Sequence, residues 1–420
     1  MKGLNEIRIT GGNSLSGSVS VQGSKNSALP MMAASLLHRG ISVLKGCPRI
    51  ADVFCMEEIL KNLGAVTWWE GHDLYLDCTA ADRTEISAGY TEQMRSSVIL
   101  LGVLLARNKK GRIGYPGGCV IGQRPVDLHV AALRSLGACI KEGVFFIYGE
   151  CERLQGNRII FRKSSVGATE QAILAAVTAK GETLLENCAR EPEIVWLCRY
   201  LRKMGAKIKG EGRAVIKIQG VEELSGGEMQ VPPDRIVAGT YMCAAAITRS
   251  EIIIENVPVE EMEAFLRVYQ KIGGQYEGKS GKLKVNGKSV RYPVGDLETQ
   301  TYPGFPTDLQ SPVMAVLTTI PGRSRIREGI FEDRFRAAKE LVRMGARIEV
   351  DGANAWIDGG YPLTGCRVKA EELRGGAALV LAALAARGET CITGAGFIRR
   401  GYEHICEDLK ALGCREICEE

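Results

Sequence analysis

Long apolar runs are missing from this chain. In 420 residues the longest uncharged stretches, such as Leu309 to Gly322, reach about 14 residues. A helix needs roughly 20 to span a bilayer, so no membrane insertion is expected. The opening Met1-Lys2-Gly3-Leu4-Asn5-Glu6 carries charge where a secretory signal would need its apolar region, and a cytoplasmic location follows as the expectation. A strong charge excess is also missing: 54 Lys and Arg face 49 Asp and Glu, a net charge of +5. That balance argues against a dedicated nucleic-acid binder, although it leaves room for local anion pockets. Histidine is scarce, with four in all, and no Cys-x-x-Cys occurs, so nothing has zinc-ligand spacing and no metal is expected. The 14 cysteines are about 3% of the chain, well below the density of a disulfide scaffold. Most of them read as small buried apolar residues in a reducing compartment.

What is present is repetition. An apolar-Gly-small phrase closes an amphipathic helix six times, at Gly64, Gly137, Gly205, Gly273, Gly345 and Gly413, spaced 73, 68, 68, 72 and 68 residues apart. Each glycine suits the left-handed residue after a helix, where a Cβ would clash. A strand pair follows each phrase, as in Arg347 to Val350 and Ala355 to Ile357. A second helix, almost free of polar residues, precedes it in each unit, as in Arg235 to Thr248 or Gly376 to Arg387. The unit reads β-α-β-α-β-β. A helix that is apolar all round must be buried all round, so helices inside and sheets outside are expected. The last unit ends with little room for its final strand, and the N-terminal strands at Ile7–Ile9 and Ser18–Val21 are expected to complete it. Three units per domain then give one domain over 24–233 and a discontinuous one over 1–23 with 234–420, with ligand in the cleft between them.

Four motifs stand out as chemistry. Tyr115 to Asp127 (YPGGCVIGQRPVD) puts one cysteine, Cys119, after two glycines and five residues before Arg124. A surface turn is the plain reading, but an arginine near an accessible thiol favours the thiolate. Gly23-Ser24-Lys25-Asn26-Ser27 precedes an apolar helix; Ser24 or Asn26 makes a good cap. Lys25 there opposes the helix dipole unless both face an anion, and the Walker-A spacing is absent. Tyr302 to Asp308 (YPGFPTD) ends at another buried-helix start, where Asp308 either caps the helix or projects as a general base. Arg95, Arg334, Arg374 and Arg400 stand near helix starts or strand ends of different repeats, as convergence on a highly anionic ligand would require.

At Lys25-Asn26, Pro116-Gly-Gly-Cys119, Arg124-Pro-Val-Asp127, Phe305-Pro-Thr-Asp308 and Arg400-Gly-Tyr-Glu403, the chain resembles the UDP-N-acetylglucosamine 1-carboxyvinyltransferases, enolpyruvyl transferases of the EPSP synthase superfamily. The likeness runs collinearly over essentially the whole chain. It implies an α/β fold, the inside-out α/β barrel of two domains with three βαβαββ repeats each. It also implies transfer of the enolpyruvyl group of phosphoenolpyruvate to the 3-hydroxyl of UDP-N-acetylglucosamine, with no metal or organic cofactor. By the same resemblance, Lys25, Arg124 and Arg400 grip phosphoenolpyruvate, and Asn26, Arg95, Asp308 and the Ile330 backbone hold the amino sugar. Arg124, Pro125, Val126, Asp127 and Leu128, with Lys163, Ser165, Val166 and Gly167, line the uridine and diphosphate site. Arg334 and Arg374 complete the substrate-binding set. Cys119 matches the loop cysteine that donates a proton, forms an adduct with phosphoenolpyruvate and is alkylated by fosfomycin. Asp308 fits the base, and Glu372 stands in the active-site region.

Two departures from the family pattern concern that site. Glu372-Leu-Arg374 stands where Asp-Leu-Arg is usual, and Arg399 replaces the aspartate usual before Arg400. Misplacement of a reacting group by about 1 Å costs on the order of a hundredfold in rate. These changes support, as alternatives, a slower second copy or a non-catalytic paralogue that binds the UDP-sugar. Retention of Lys25, Cys119, Arg124, Asp308 and Arg400 favours the enzyme. The Gly-Gly-Cys-x-x-Gly loop argues against the shikimate-pathway relative.

Overall fold

The structure is a computed structural model, and it describes residues 5–117, 125–279 and 281–419. Main-chain contacts divide these residues into two compact units. One holds 23–117 and 125–232; the other holds 5–22 with 233–279 and 281–419.

The unit from 23 to 232 has three four-stranded sheets. In sheet order they are Glu228–Gln230, Ile41–Lys45, Asp73–Asp77, Val66–Glu70; then Glu85–Ile86, Lys110–Gly114, Phe146–Glu150, Cys139–Glu142; then Arg158–Ile160, Glu182–Glu186, Val215–Gln219, Lys207–Lys209. Each has one parallel pair followed by two antiparallel ones. In the second and third sheets an apolar helix supplies the crossover that the parallel pair needs, and in each sheet the last two strands form a hairpin. Helices Lys25–Ser35, Leu100–Asn108 and Val166–Ala176 are the apolar ones. Every residue of the first from Ser27 to Ser35 is buried. Helix Pro192–Lys203 instead buries one stripe, including Ile194, Leu197, Cys198 and Leu201, the pattern of a helix with one wet face.

The other unit repeats this arrangement. Its sheets are Ser18–Ser20, Glu251–Glu255, Lys282–Asn286, Gln275–Lys279; Asp296–Glu298, Gly322–Arg327, Asn354–Gly359, Arg347–Asp351; and Arg367–Lys369, Glu389–Thr393, Glu6–Thr10, Ile417–Glu419. Helices Arg235–Ile247 and Leu373–Ala385 are buried from Ile236 to Ile247 and from Leu373 to Leu384. Strand residues alternate: Ile252 and Ile254 are buried against them while Ile253 is half-buried. Each fully buried Leu, Ile or Met side chain is worth about 1.5–3 kcal/mol of transfer free energy.

Two details differ from the sequence reading. Only Glu6–Thr10 completes the last repeat, pairing with Glu389–Thr393 and with a short final strand, Ile417–Glu419, that the chain does have. Ser18–Ser20 instead runs parallel to Glu251–Glu255. The reason is topological. Helix Arg235–Ile247 lacks its own leading strand, because Glu228–Gln230 is used beside Ile41–Lys45, and Ser18–Ser20 fills that place. A helix start also shifts. Leu373–Ala385 begins three residues before Gly376 because Glu372 caps it. The six phrase glycines all have φ between 88° and 107°, the left-handed region.

Among the described residues no helix is long and apolar enough to cross a membrane. Thirteen cysteines are described, none of them in a disulfide and eight of them buried. Burial pushes the Cys78 and Cys188 thiols up to about 12, which makes them packing residues rather than nucleophiles.

Candidate active site

Asp308 sits in a single turn, Thr307–Leu309, leading into helix Gln310–Thr318, and no side chain caps that turn. The carboxylate therefore is not a cap. Its Oδ1 accepts from Arg334 Nη2 at 2.8 Å and its Oδ2 from Arg374 Nη2 at 3.1 Å. Both arginines are almost wholly buried, whereas the Asp308 side chain keeps 28% of its surface. A carboxylate thus reaches the surface of this unit with two guanidiniums fixed behind it. Burial works against the charge of Arg374, but Asp308, then Tyr402 and Asp234, together outweigh that penalty and hold it protonated. The Arg374 guanidinium also lies over the Tyr402 ring, 5.6 Å from its centroid.

Glu372 joins this network as a helix cap. It accepts from the backbone N–H of Arg374 at 2.8 Å and from that of Gly375, and it lies 3.6 Å from Arg334 Nη1. A negative charge at a helix N-terminus is favoured by the dipole. The neighbouring loop is ordered by Glu328, whose Oε1 accepts from the N–H of Ile330 at 2.9 Å and of Phe331 at 3.1 Å. Its Oε2 accepts from the Thr307 hydroxyl at 3.0 Å, so Ile330 is fixed beside the turn that carries Asp308. Arg400 follows the short helix Ala395–Ile398 and is half-buried.

In the unit from 23 to 232, Lys25 is the first residue of its helix and Ser24 the cap, accepting from the Ser27 N–H at 3.3 Å. Lys25 Nζ lies 3.4 Å from Asp52 Oδ2, with both side chains mostly buried. Asp52 supplies the counter-charge that a lysine opposing a helix dipole requires. Asn26, next along, is half-buried. Arg95 Nη2 donates to the carbonyl of Pro125 at 3.0 Å. Val126 is buried and Asp127 opens helix Asp127–Ser135, paired with Arg162; Leu128 is half-buried.

Ser165 caps helix Val166–Ala176, accepting from the Ala168 N–H at 3.4 Å. Gly167 lies so close to His129 that a Cβ there would sit 3.1 Å from its ring. His129 in turn bonds Gln171. The segments 125–128 and 163–167 are therefore neighbours at two adjacent helix N-termini, with Lys163 exposed beside them. Backbone N–H groups at such ends suit anions. Cys119 and Arg124 lie outside the described residues.

Two groups of the described sequence candidates thus come together: Asp308, Ile330, Arg334, Glu372 and Arg374 in one unit, and Arg95 with 125–128 and 163–167 in the other, while Arg400 is placed after its own short helix. Lys25 and Asn26 are placed at the start of a separate helix. The residues that sequence reasoning missed are the partners: Asp52, Glu328, His129 with Gln171, and Tyr402. A signal existed for His129, one of four histidines, two residues after Asp127. Asp52 and Glu328 carry none, because only folding brings them to Lys25 and Thr307.

Residues 9–409 match the family described as EPSP synthase (3-phosphoshikimate 1-carboxyvinyltransferase). UDP-N-acetylglucosamine 1-carboxyvinyltransferase 2 of Caldanaerobacter subterraneus subsp. tengcongensis is 44% identical over 410 residues, covering 98% of each chain. The UDP-N-acetylglucosamine 1-carboxyvinyltransferase of Koribacter versatilis is 43% identical over 414 residues, 98% of this chain and 95% of that one. Among solved structures, the enolpyruvyl transferase NikO from Streptomyces tendae superposes with a TM-score of 0.88 at 25% identity, over 100% of this chain and 99% of that one. EPSP synthase from Acinetobacter baumannii, at 18% identity and a TM-score of 0.74 over 99% of this chain and 100% of that one, shares the fold. With a family match over nearly its whole length and relatives this similar, the chain belongs to the EPSP synthase family and, within it, to the UDP-N-acetylglucosamine 1-carboxyvinyltransferases.

Proposed function

We propose that this enolpyruvyl transferase moves the enolpyruvyl group of phosphoenolpyruvate to the 3-hydroxyl of UDP-N-acetylglucosamine and releases phosphate, in the first committed step of cytoplasmic peptidoglycan precursor synthesis. The observation that carries the reading is the Asp308 carboxylate, part-exposed and held by two buried guanidiniums, in a chain collinear with relatives of that name. We read the architecture as two inside-out α/β barrels, 24–233 and 1–23 with 234–420.

In this reading the sugar O3 forms a bond to C2 of phosphoenolpyruvate while Asp308 takes the hydroxyl proton. Cys119 delivers a proton to C3, giving a tetrahedral intermediate. The C3 proton then leaves as the C2–O bond to phosphate breaks. C2 has cationic character on the way, which a nearby carboxylate stabilises. Lys25, Arg124 and Arg400 balance the phosphate charge, and Arg334 and Arg374 keep Asp308 aimed. The adjacent helix N-termini at Asp127 and Val166 take the diphosphate, and Asn26, Arg95 and the Ile330 backbone take the sugar. Closure over the substrates shields the intermediate from water.

Glu372 bears on the non-catalytic alternative. Its longer side chain is taken up as a helix cap and a partner of Arg334, and Asp308 keeps its bonds to both Arg334 and Arg374. The test is phosphate release with each candidate acceptor. Release requiring phosphoenolpyruvate and UDP-N-acetylglucosamine, and abolished by fosfomycin, supports the reading. Release with shikimate 3-phosphate instead, or with neither acceptor, refutes it.

A further inference from the structure

Glu372 and Arg399 are both taken up in ion pairs, and the pair made by Arg399 lies directly beside Arg400. Arg399 stands where an aspartate is usual beside Arg400. Its guanidinium is tied down: Nε donates to Glu419 Oε1 at 2.6 Å, and Nη2 contacts the same oxygen. About a third of the Arg399 side chain and a quarter of the Glu419 side chain remain exposed. Glu419 belongs to the last strand, Ile417–Glu419, which is locked in register against Ile7 to Ile9. The pair therefore ties the residue preceding Arg400 to the sheet.

The rest of the Arg400 segment is held as well. Backbone N–H groups of Gly394 and Ala395 donate to the Asn5 carbonyl at 2.9 and 3.1 Å. Gln22 accepts from the Glu403 N–H at 2.8 Å and donates to the Gly401 carbonyl at 3.2 Å. The Tyr402 hydroxyl bonds Thr240 at 2.8 Å. All these anchors act on main chain or on a buried ring; among the bonds described here, the one to Glu419 is made by the side chain directly adjoining Arg400. Two consecutive arginines repel, and a counter-carboxylate on one of them lets both stay folded onto the same surface.

We propose that Arg399 and Glu419 form a positioning pair by which the C-terminal strand, through the residue next to it in sequence, sets Arg400 for the phosphoenolpyruvate phosphate. The proposal rests on the reading of Arg400 given under the proposed function. Glu419→Gln and Arg399→Ala are each expected to raise KM for phosphoenolpyruvate about fivefold, the scale of a part-exposed ion pair. KM for UDP-N-acetylglucosamine and the thermal midpoint stay within error. The double variant is no worse than either single one, because both remove the same interaction.

Arg400→Ala is measured alongside. If it raises KM for phosphoenolpyruvate while Glu419→Gln and Arg399→Ala leave it unchanged, Arg400 binds as read and the positioning pair is refuted. If Arg400→Ala changes nothing, the reading of Arg400 fails and takes the pair with it. Rises in both KM values together with a lowered thermal midpoint show a merely structural bond and also overturn the proposal.

Discussion

Asp308 shows how one residue acquires a function through what surrounds it. It lies in the turn just before a buried helix, and its oxygens are committed to Arg334 and Arg374. Asp308→Asn keeps the shape but removes the charge both guanidiniums face and the base the reaction needs. The expected result is loss of at least about a hundredfold in kcat, the lower range for a general base, with UDP-N-acetylglucosamine still bound in calorimetry; turnover within twofold of wild type removes Asp308 from the base role. Glu170 offers a second test at this scale. It is buried in helix Val166–Ala176, and burial, then Glu193 and Glu191, push its carboxyl well above its ordinary 4.5. The folded state then holds a proton that the unfolded chain has lost, so stability falls as pH rises above about 4.5. Glu170→Gln, isosteric and uncharged, is expected to flatten that fall and to gain on wild type as pH rises; parallel stability curves from pH 5 to 8 would contradict it. Single residues were legible in the sequence where their type was odd for their place, as with Lys25 at a helix start. Their partners were not, because Asp52 and Glu328 reach them only across the fold.

At the scale of the element, the helix-closing glycines were legible because only one residue type avoids strain after a helix. Helix starts were less so: Glu372 is an uncommon cap, and nothing in the apolar pattern marks it. The glycines also separate two costs. Gly64 has φ 107°, and a Cβ there would lie 2.7 Å from the Ala80 carbonyl oxygen, whereas Gly205, with φ 104°, has nothing within 4 Å of that position. Gly205→Ala is expected to cost about 1 kcal/mol from backbone conformation alone. Gly64→Ala carries the same strain plus a clash with main chain, and is expected to cost at least 1 kcal/mol more. Urea unfolding of both variants checks the order, and equal losses would mean the contact at Gly64 relaxes freely.

For the whole molecule, the sixfold spacing made the architecture legible, but not which strand fills which gap. Glu6–Thr10 enters the last sheet between Glu389–Thr393 and Ile417–Glu419, so residues from both ends of the chain share one core, with Ile9 and Ile392 fully buried. Ile9→Ala is therefore expected to lower the stability of the unit holding 233–419 by about 2–4 kcal/mol. The same transition should shift as with Ile392→Ala; hydrogen exchange would report it through protection lost in that unit while 23–232 keeps its own. The two departures at Glu372 and Arg399 were visible as substitutions, and folding shows both absorbed into ion pairs. That is why the account treats this chain as an active transferase. The most direct test is to identify the product by proton and phosphorus NMR after incubating the protein with phosphoenolpyruvate and UDP-N-acetylglucosamine. The account requires a UDP-sugar carrying an enolpyruvyl ether at the 3-oxygen, seen by its vinylic protons, with one inorganic phosphate per ether. Bound but unaltered UDP-N-acetylglucosamine, with phosphoenolpyruvate intact, would contradict it.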